Sequence, residues 1–121
     1  MKDFRDLHVW DRAHRLTLDI YTLSGKFPRE ELYGLTSQIR RCCVSIGANI
    51  AEGCGKSGNN ELQRFLQIAS GSASELDYEL MLAKDLRYMT ETDYARIADE
   101  LSQVRKMLTS LLRKVQIDRK N

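Results

Sequence analysis

The segment Gly53-Cys54-Gly55-Lys56-Ser57-Gly58 has the ingredients of a loop that cradles phosphate, but not the spacing. A nucleotide-binding loop of that type needs a glycine five positions before Gly55, and Ile50 stands there. It must also follow a strand, whereas this segment follows a run patterned as helix, so it reads as a glycine-rich turn. A di-iron carboxylate bundle needs Glu-x-x-His on two helices. Neither His8 nor His14 stands three after a glutamate, and both lie near the N-terminus. Six residues apart, they fall on different helical faces and make no metal pair. Asp77 and Glu79, with Glu75 nearby, read as a solvated acidic face. The three cysteines contain no C-x-x-C pair; Cys42 and Cys43 are adjacent on one helix, Cys54 sits near its end, and two buried or half-buried thiols are read there. No Ser/His/Asp or Cys/His set assembles. The chain is therefore expected to be no enzyme and to carry no cofactor or metal.

One polar constellation stands out. Given ~100° per residue, Gln38, Arg41, Ser45, Asn49 and Glu52 share a narrow stripe of one helix, beside its apolar face. Serine and asparagine are poor helix formers whose hydroxyl and amide groups compete for backbone bonds, so specific hydrogen bonds are the natural reason for keeping them. Two readings stay open: a solvated face with incidental Ser and Asn, or a buried polar network at a subunit or ligand interface.

The elements that must position this stripe are helical. Apolar residues recur at three- and four-residue steps in four segments. The first, about 7–24, carries Trp10, Ala13, Leu16 (or Thr17), Ile20 and Leu23. Gly25 and Pro28 interrupt the chain, and a short turn from Arg29 to Tyr33 leads to the second helix, about 35–53, with Leu35, Ile39, Cys42, Cys43, Ile46 and Ile50 inward. After the glycine-rich turn, Asn59 or Asn60 is expected to cap a third helix, about 60–89, with Leu62, Phe65, Leu66, Ala69, Ala73, Leu76, Leu80 and Ala83 on its core face. Thr90 or Thr92 caps the fourth, about 92–115, whose Ile97, Leu101, Val104, Leu108, Leu111 and Val115 alternate steps of four and three, a heptad seam. No stretch alternates with period two. With 121 residues, one proline and 30% charged residues, the fold expected is all-α: one soluble domain over 1–121, an antiparallel up-down-up-down four-helix bundle. No apolar run spans a membrane, and acidic residues interrupt the N-terminal segment MKDFRDLHVWDR, so no signal peptide is read there and a cytoplasmic location is expected.

With these residues in place, the chain resembles a bacterial family, the four-helix bundle or 23S rRNA intervening sequence proteins. FRDLHVWDRAHRL, FPREELYGLTSQIRRCCVSIGANIAEGCGKS and ELQRFLQIASGSASELDYEL carry the resemblance, over roughly residues 4 to 112. Gly47 departs from it, standing where the family often has proline. The resemblance implies an antiparallel four-helix bundle without enzymatic activity, assembled into homo-oligomers, with pentameric rings in similar members. It implies a link to nucleic acid, because a related accessory protein of diversity-generating retroelements binds nucleic acid and a reverse transcriptase, and some family genes lie within large-subunit rRNA genes. Trp10, Gly53 and the stripe of Arg41, Ser45, Asn49 and Glu52 coincide with the family's signature. Trp10, Gln38, Arg41, Ser45, Asn49, Glu52 and Gly53 are therefore the candidates for a subunit interface or polar network.

Charge is uneven although the net value is only +2. Residues 105–121 carry +5 and residues 90–104 carry −3. In an up-down-up-down bundle one pole collects Lys2, Arg5, Arg12, Lys56, Arg64, Arg113, Lys114, Arg119 and Lys120. A ring of subunits would repeat that pole around one rim and raise a field able to hold phosphate backbones. The function expected is a non-enzymatic homo-oligomeric scaffold, pentameric by resemblance, that binds RNA or DNA through this pole. The alternative is an oligomeric protein–protein adaptor with no nucleic-acid role. Against the first stand two facts: basic residues at a helix C-terminus also simply complement its dipole, and aromatic residues for base stacking are few.

Overall fold

The computed structural model describes residues 3–120, apart from the side chains of Arg119 and Lys120. Four helices account for nearly all of it: α1 (His8–Ser24), α2 (Leu35–Cys54), α3 (Asn59–Asp85) and α4 (Glu91–Lys120). Single 3-10 turns occupy Phe4–Asp6 and Arg29–Glu31. Among the described residues there is no strand, and no helix is long and apolar enough to cross a membrane.

Sequence neighbours pack against each other, α4 closes back on α1, and among the described residues the diagonal pairs α1/α3 and α2/α4 bring no Cα atoms within 8 Å. Contacts fix the directions. Thr17 of α1 reaches Cys43 of α2, while Arg40 reaches back to Ser24 and Tyr21. Ser45 of α2 meets Ser72 of α3, and Cys42 meets Glu75. Arg12 pairs with Glu100 and Arg96 with Asp19, so α1 and α4 also run antiparallel. The arrangement is up-down-up-down, as the short connections require.

One apolar cluster fills the interior, and every inward residue read from the helical spacing is buried except Trp10 and Leu111, which lie half-buried at its edge, and Thr17, the alternative to buried Leu16. Phe27 and Met89 join it from the connections. Helix ends differ from expectation by a few residues. α3 stops at Asp85 and not near Met89: Arg87 takes a left-handed φ of 64°, and Tyr88 and Arg87 donate to the Ala83 and Lys84 carbonyls at 2.9 Å each. Those two bonds close the helix in the manner of a Schellman motif and turn Met89 into the core. Neither Asn59 nor Asn60 caps α3; Gly58 holds that position with φ 90°. Thr90 does cap α4, its hydroxyl accepting from Asp93 N–H at 3.0 Å, and α4 runs on past residue 115 to Lys120.

Glu31 ties the α1–α2 connection to the end of α3. Its carboxylate accepts from Leu35 N–H at 3.1 Å, satisfying a free donor of the first turn of α2, and from the Tyr88 hydroxyl at 2.8 Å. Gly34 makes the first contact possible, because a Cβ there would lie 2.6 Å from Glu31 Oε1. The Leu35 bond, and then the Tyr88 bond, hold the Glu31 carboxyl below its usual pKa. A carboxylate depressed by folding stabilises the fold above its unfolded pKa of 4.5, and that contribution is lost as pH falls through the lower folded value. Glu31→Gln keeps one acceptor oxygen for Leu35 N–H, offers its amide N–H to the Tyr88 oxygen in place of the second acceptor, and has nothing to titrate. Urea denaturation at neutral pH and at about pH 3 should therefore show a smaller acid-induced loss in the variant than in the parent; an equal loss would mean that other carboxylates account for it.

Candidate nucleic-acid interface and polar groove

The antiparallel order brings the start of α1, the end of α2, the start of α3 and the end of α4 to one pole. Leu7, Cys54, Asn59, Leu62, Lys114 and Val115 line a common recess of about 200 Å³ there. The cations assigned to this pole from sequence are not equivalent. Arg5 pairs with Asp3 at 3.1 Å and Arg12 with Glu100 at 3.2 Å. Lys56 approaches Glu52 at 4.0 Å, and Arg64 pairs with Glu61 at 3.3 Å while lying over the Phe65 ring. Arg113 and Lys114 are exposed and, among the described residues, enter no ion pair. Lys2 and the side chains of Arg119 and Lys120 lie outside the described residues. The pole thus holds free positive charge on the last turns of α4, with a neutralised rim beside it.

The polar stripe of α2 faces a groove against α3. Gln38, Arg41, Cys42, Ser45, Ser72 and Glu75 line a space of about 310 Å³. Within it the Ser45 and Ser72 hydroxyls lie 2.8 Å apart, and Asn49 Nδ2 donates to the Ser45 carbonyl at 2.8 Å and to its hydroxyl at 3.0 Å. Ser45 and Asn49 therefore find hydrogen-bond partners inside a single bundle. Gln38, Arg41 and Glu52 remain exposed. Trp10 is not part of this network. It packs on the other side of α2, above Gly47, edge-on to Phe4 at 4.8 Å and stacked on His14 at 5.0 Å. Gly53 serves packing: a Cβ there would meet Phe65 Cβ at 3.0 Å and Leu62 Cδ1 at 3.1 Å, so its absence lets α2 and α3 converge at the pole.

The inner wall of the groove corrects one expectation. Glu79 is not on a solvated face; it is only 4% exposed, and its Oε1 has no hydrogen-bond partner. Glu75 and Asp77 are more open. The Cys42 thiol donates to Glu75 Oε2 at 3.2 Å. Burial first, then the Glu75 charge, push the Glu79 carboxyl above the usual carboxylate range, against a thiol bond from Cys42 that lowers it. Burial and the two glutamates push the Cys42 thiol up as well, and burial pushes Cys43 up to about 12. Thiols so placed are protonated at neutral pH and are poor nucleophiles. Among the described residues, Cys42, Glu75 and Glu79 are the one set whose donor atoms could share an ion, all within 4.8 Å of one another. The sequence did carry a signal for this. Glu79 stands three after Leu76 and four before Ala83, a core position of α3, and four after Glu75.

Comparison with known proteins decides the family. The model of the 23S rRNA-intervening sequence protein family matches residues 5–110. The chain belongs to that family. A crystal structure from Bacteroides thetaiotaomicron, of a protein with unknown function from the S23 ribosomal protein family, superposes with a TM-score of 0.81. It is 28% identical, over 87% of this chain and 95% of that one. No curated protein matches the sequence. The four-helix architecture expected of a 23S rRNA-intervening sequence protein is thus present here, and the matched span contains the whole polar groove but stops before Arg113.

Proposed function

We propose that this protein is a non-enzymatic, cytoplasmic scaffold that assembles into a homo-oligomer, a pentamer by family resemblance, and binds the backbone of RNA or DNA through its basic pole. The observation that carries the nucleic-acid part is the exposure of Arg113 and Lys114 on the last turns of α4, with no ion pair to either among the described residues. Cations already paired within the bundle gain less from phosphate, because the existing pair must first be broken. The family's name, with its reference to 23S rRNA, points to the same class of ligand. Assembly is supported by the apolar side chains that α2 and α3 leave exposed, Val44, Ile68, Tyr78 and Met81.

Titration of a fluorescent single-stranded RNA at two salt concentrations tests the binding. Affinity should fall with salt at a log–log slope of about −0.7 per phosphate contacted, and Arg113→Gln with Lys114→Gln should reduce that slope by about 0.7 for each cation removed, without unfolding the bundle. Absence of binding at low salt would leave the adaptor as the better function, a role the exposed apolar residues of α2 and α3 also favour. Mass measurement at micromolar concentration checks assembly separately: a species larger than a dimer is expected, and a monomer would remove the repeated rim.

A further inference from the structure

The groove between α2 and α3 holds three acidic groups with no cation against them. Glu75 and Glu79 project from successive turns of α3, and Cys42 faces them from α2. Among the described residues neither glutamate is in an ion pair, and Glu79 Oε1 is buried without a hydrogen bond in a residue that is 4% exposed. An orphaned carboxylate oxygen in such a place costs more than a satisfied hydrogen bond contributes, so something that binds it is worth seeking. Among the described residues no basic side chain pairs with either glutamate, and Arg41 only lines the outer groove.

We propose that Cys42, Glu75 and Glu79 form a binding site for a divalent transition metal of the zinc class. The donor set is one thiolate sulfur and two carboxylate oxygens, a mixture that suits a borderline-soft ion and not magnesium or calcium, which take oxygen ligands alone. Around a tetrahedral zinc, with Zn–S of about 2.3 Å and Zn–O of about 2.1 Å, ligand atoms lie about 3.5 Å apart. Cys42 Sγ and Glu75 Oε2 are already at 3.2 Å, and all three donors lie within 4.8 Å of one another, close to the spacing that one ion requires. Glu79 would bind from the buried side, and Glu75, the more exposed, from the groove. The fourth position opens towards Ser45 and Ser72 and would take water. Binding displaces the thiol proton to solvent: the S–H bond breaks, the sulfur–metal bond forms, and no electron is transferred. The site is separate from the basic pole and does not rest on nucleic-acid binding.

Cobalt(II) is the probe, because a thiolate ligand gives it an intense near-ultraviolet charge-transfer band. The chelator-treated full chain should take up one Co²⁺ per chain with that band, and Zn²⁺ should displace it. Cys42→Ser should abolish the band, and Glu79→Gln should weaken Co²⁺ binding by at least about tenfold, the lower bound for loss of even an outer-shell partner. Cys54→Ser, which alters a thiol at the pole, should leave both unchanged. Circular dichroism separates loss of the site from loss of the fold, and Glu79→Gln keeps the side-chain shape if Cys42→Ser does not fold. Binding without a thiolate band, a band that survives Cys42→Ser, or affinity unmoved by Glu79→Gln would each overturn the proposal.

Discussion

Leu108→Ala is expected to destabilise the bundle by about 2–5 kcal/mol. Leu108 is fully buried on the heptad seam of α4, with Leu101 one heptad before it and Val104 and Val115 on the same stripe. Alanine removes the apolar atoms and leaves a void that close-packed helices only partly refill, so transfer and cavity terms add. The same change at Lys106, exposed two residues away, should cost little, because no cavity results. Urea denaturation of the two variants compares them directly. A loss under ~0.5 kcal/mol at Leu108 would place the side chain on the surface and undo the register of α4.

Gly53→Ala sets two opposing terms against each other. In a helix interior alanine gains about 1 kcal/mol over glycine by restricting the unfolded chain. The new methyl would lie 3.0 Å from Phe65 Cβ and 3.1 Å from Leu62 Cδ1. The leucine tip can rotate away. Phe65 Cβ cannot, since it is fixed to the α3 backbone, so relief requires the two helices to separate near the pole. Overpacking of this kind costs about 1–3 kcal/mol, which outweighs the propensity gain over most of its range. A net loss of up to about 2 kcal/mol is expected, with Gly53→Val nearer the upper end because its branches reach further into α3. If alanine stabilises the protein, α3 can withdraw from this end, and Gly53 is not there for close packing.

Much of the fold was legible because helical periodicity reports a direction that each segment carries by itself. The steps of three and four in Ile97, Leu101, Val104 and Leu108 say which side of α4 faces inward, whatever the neighbour is. Thr90 as a cap, and Gly25 and Pro28 as a break, are equally local signals. The end of α3 was less legible, because a left-handed Arg87 in place of glycine gives no compositional warning.

The sequence by itself determined four amphipathic helices, their inward stripes, their up-down-up-down order by way of short connections, and the family motifs. Only the tertiary structure decided which polar groups meet. Arg12 and Arg64 look alike in sequence to Arg113, yet the first two are paired with Glu100 and Glu61 while the third enters no ion pair among the described residues. Ser45 and Asn49 look unsatisfied until α3 supplies Ser72. Glu79 looks solvated as one of several acids, until the rotation of α3 against α2 seals it beside Cys42. The physical reason is common to all three. An apolar side chain needs only to leave water, which a direction can specify, whereas a hydrogen bond or ion pair needs a particular partner within about 3 Å. That partner is set by the register and rotation of a neighbouring helix, which no single segment encodes.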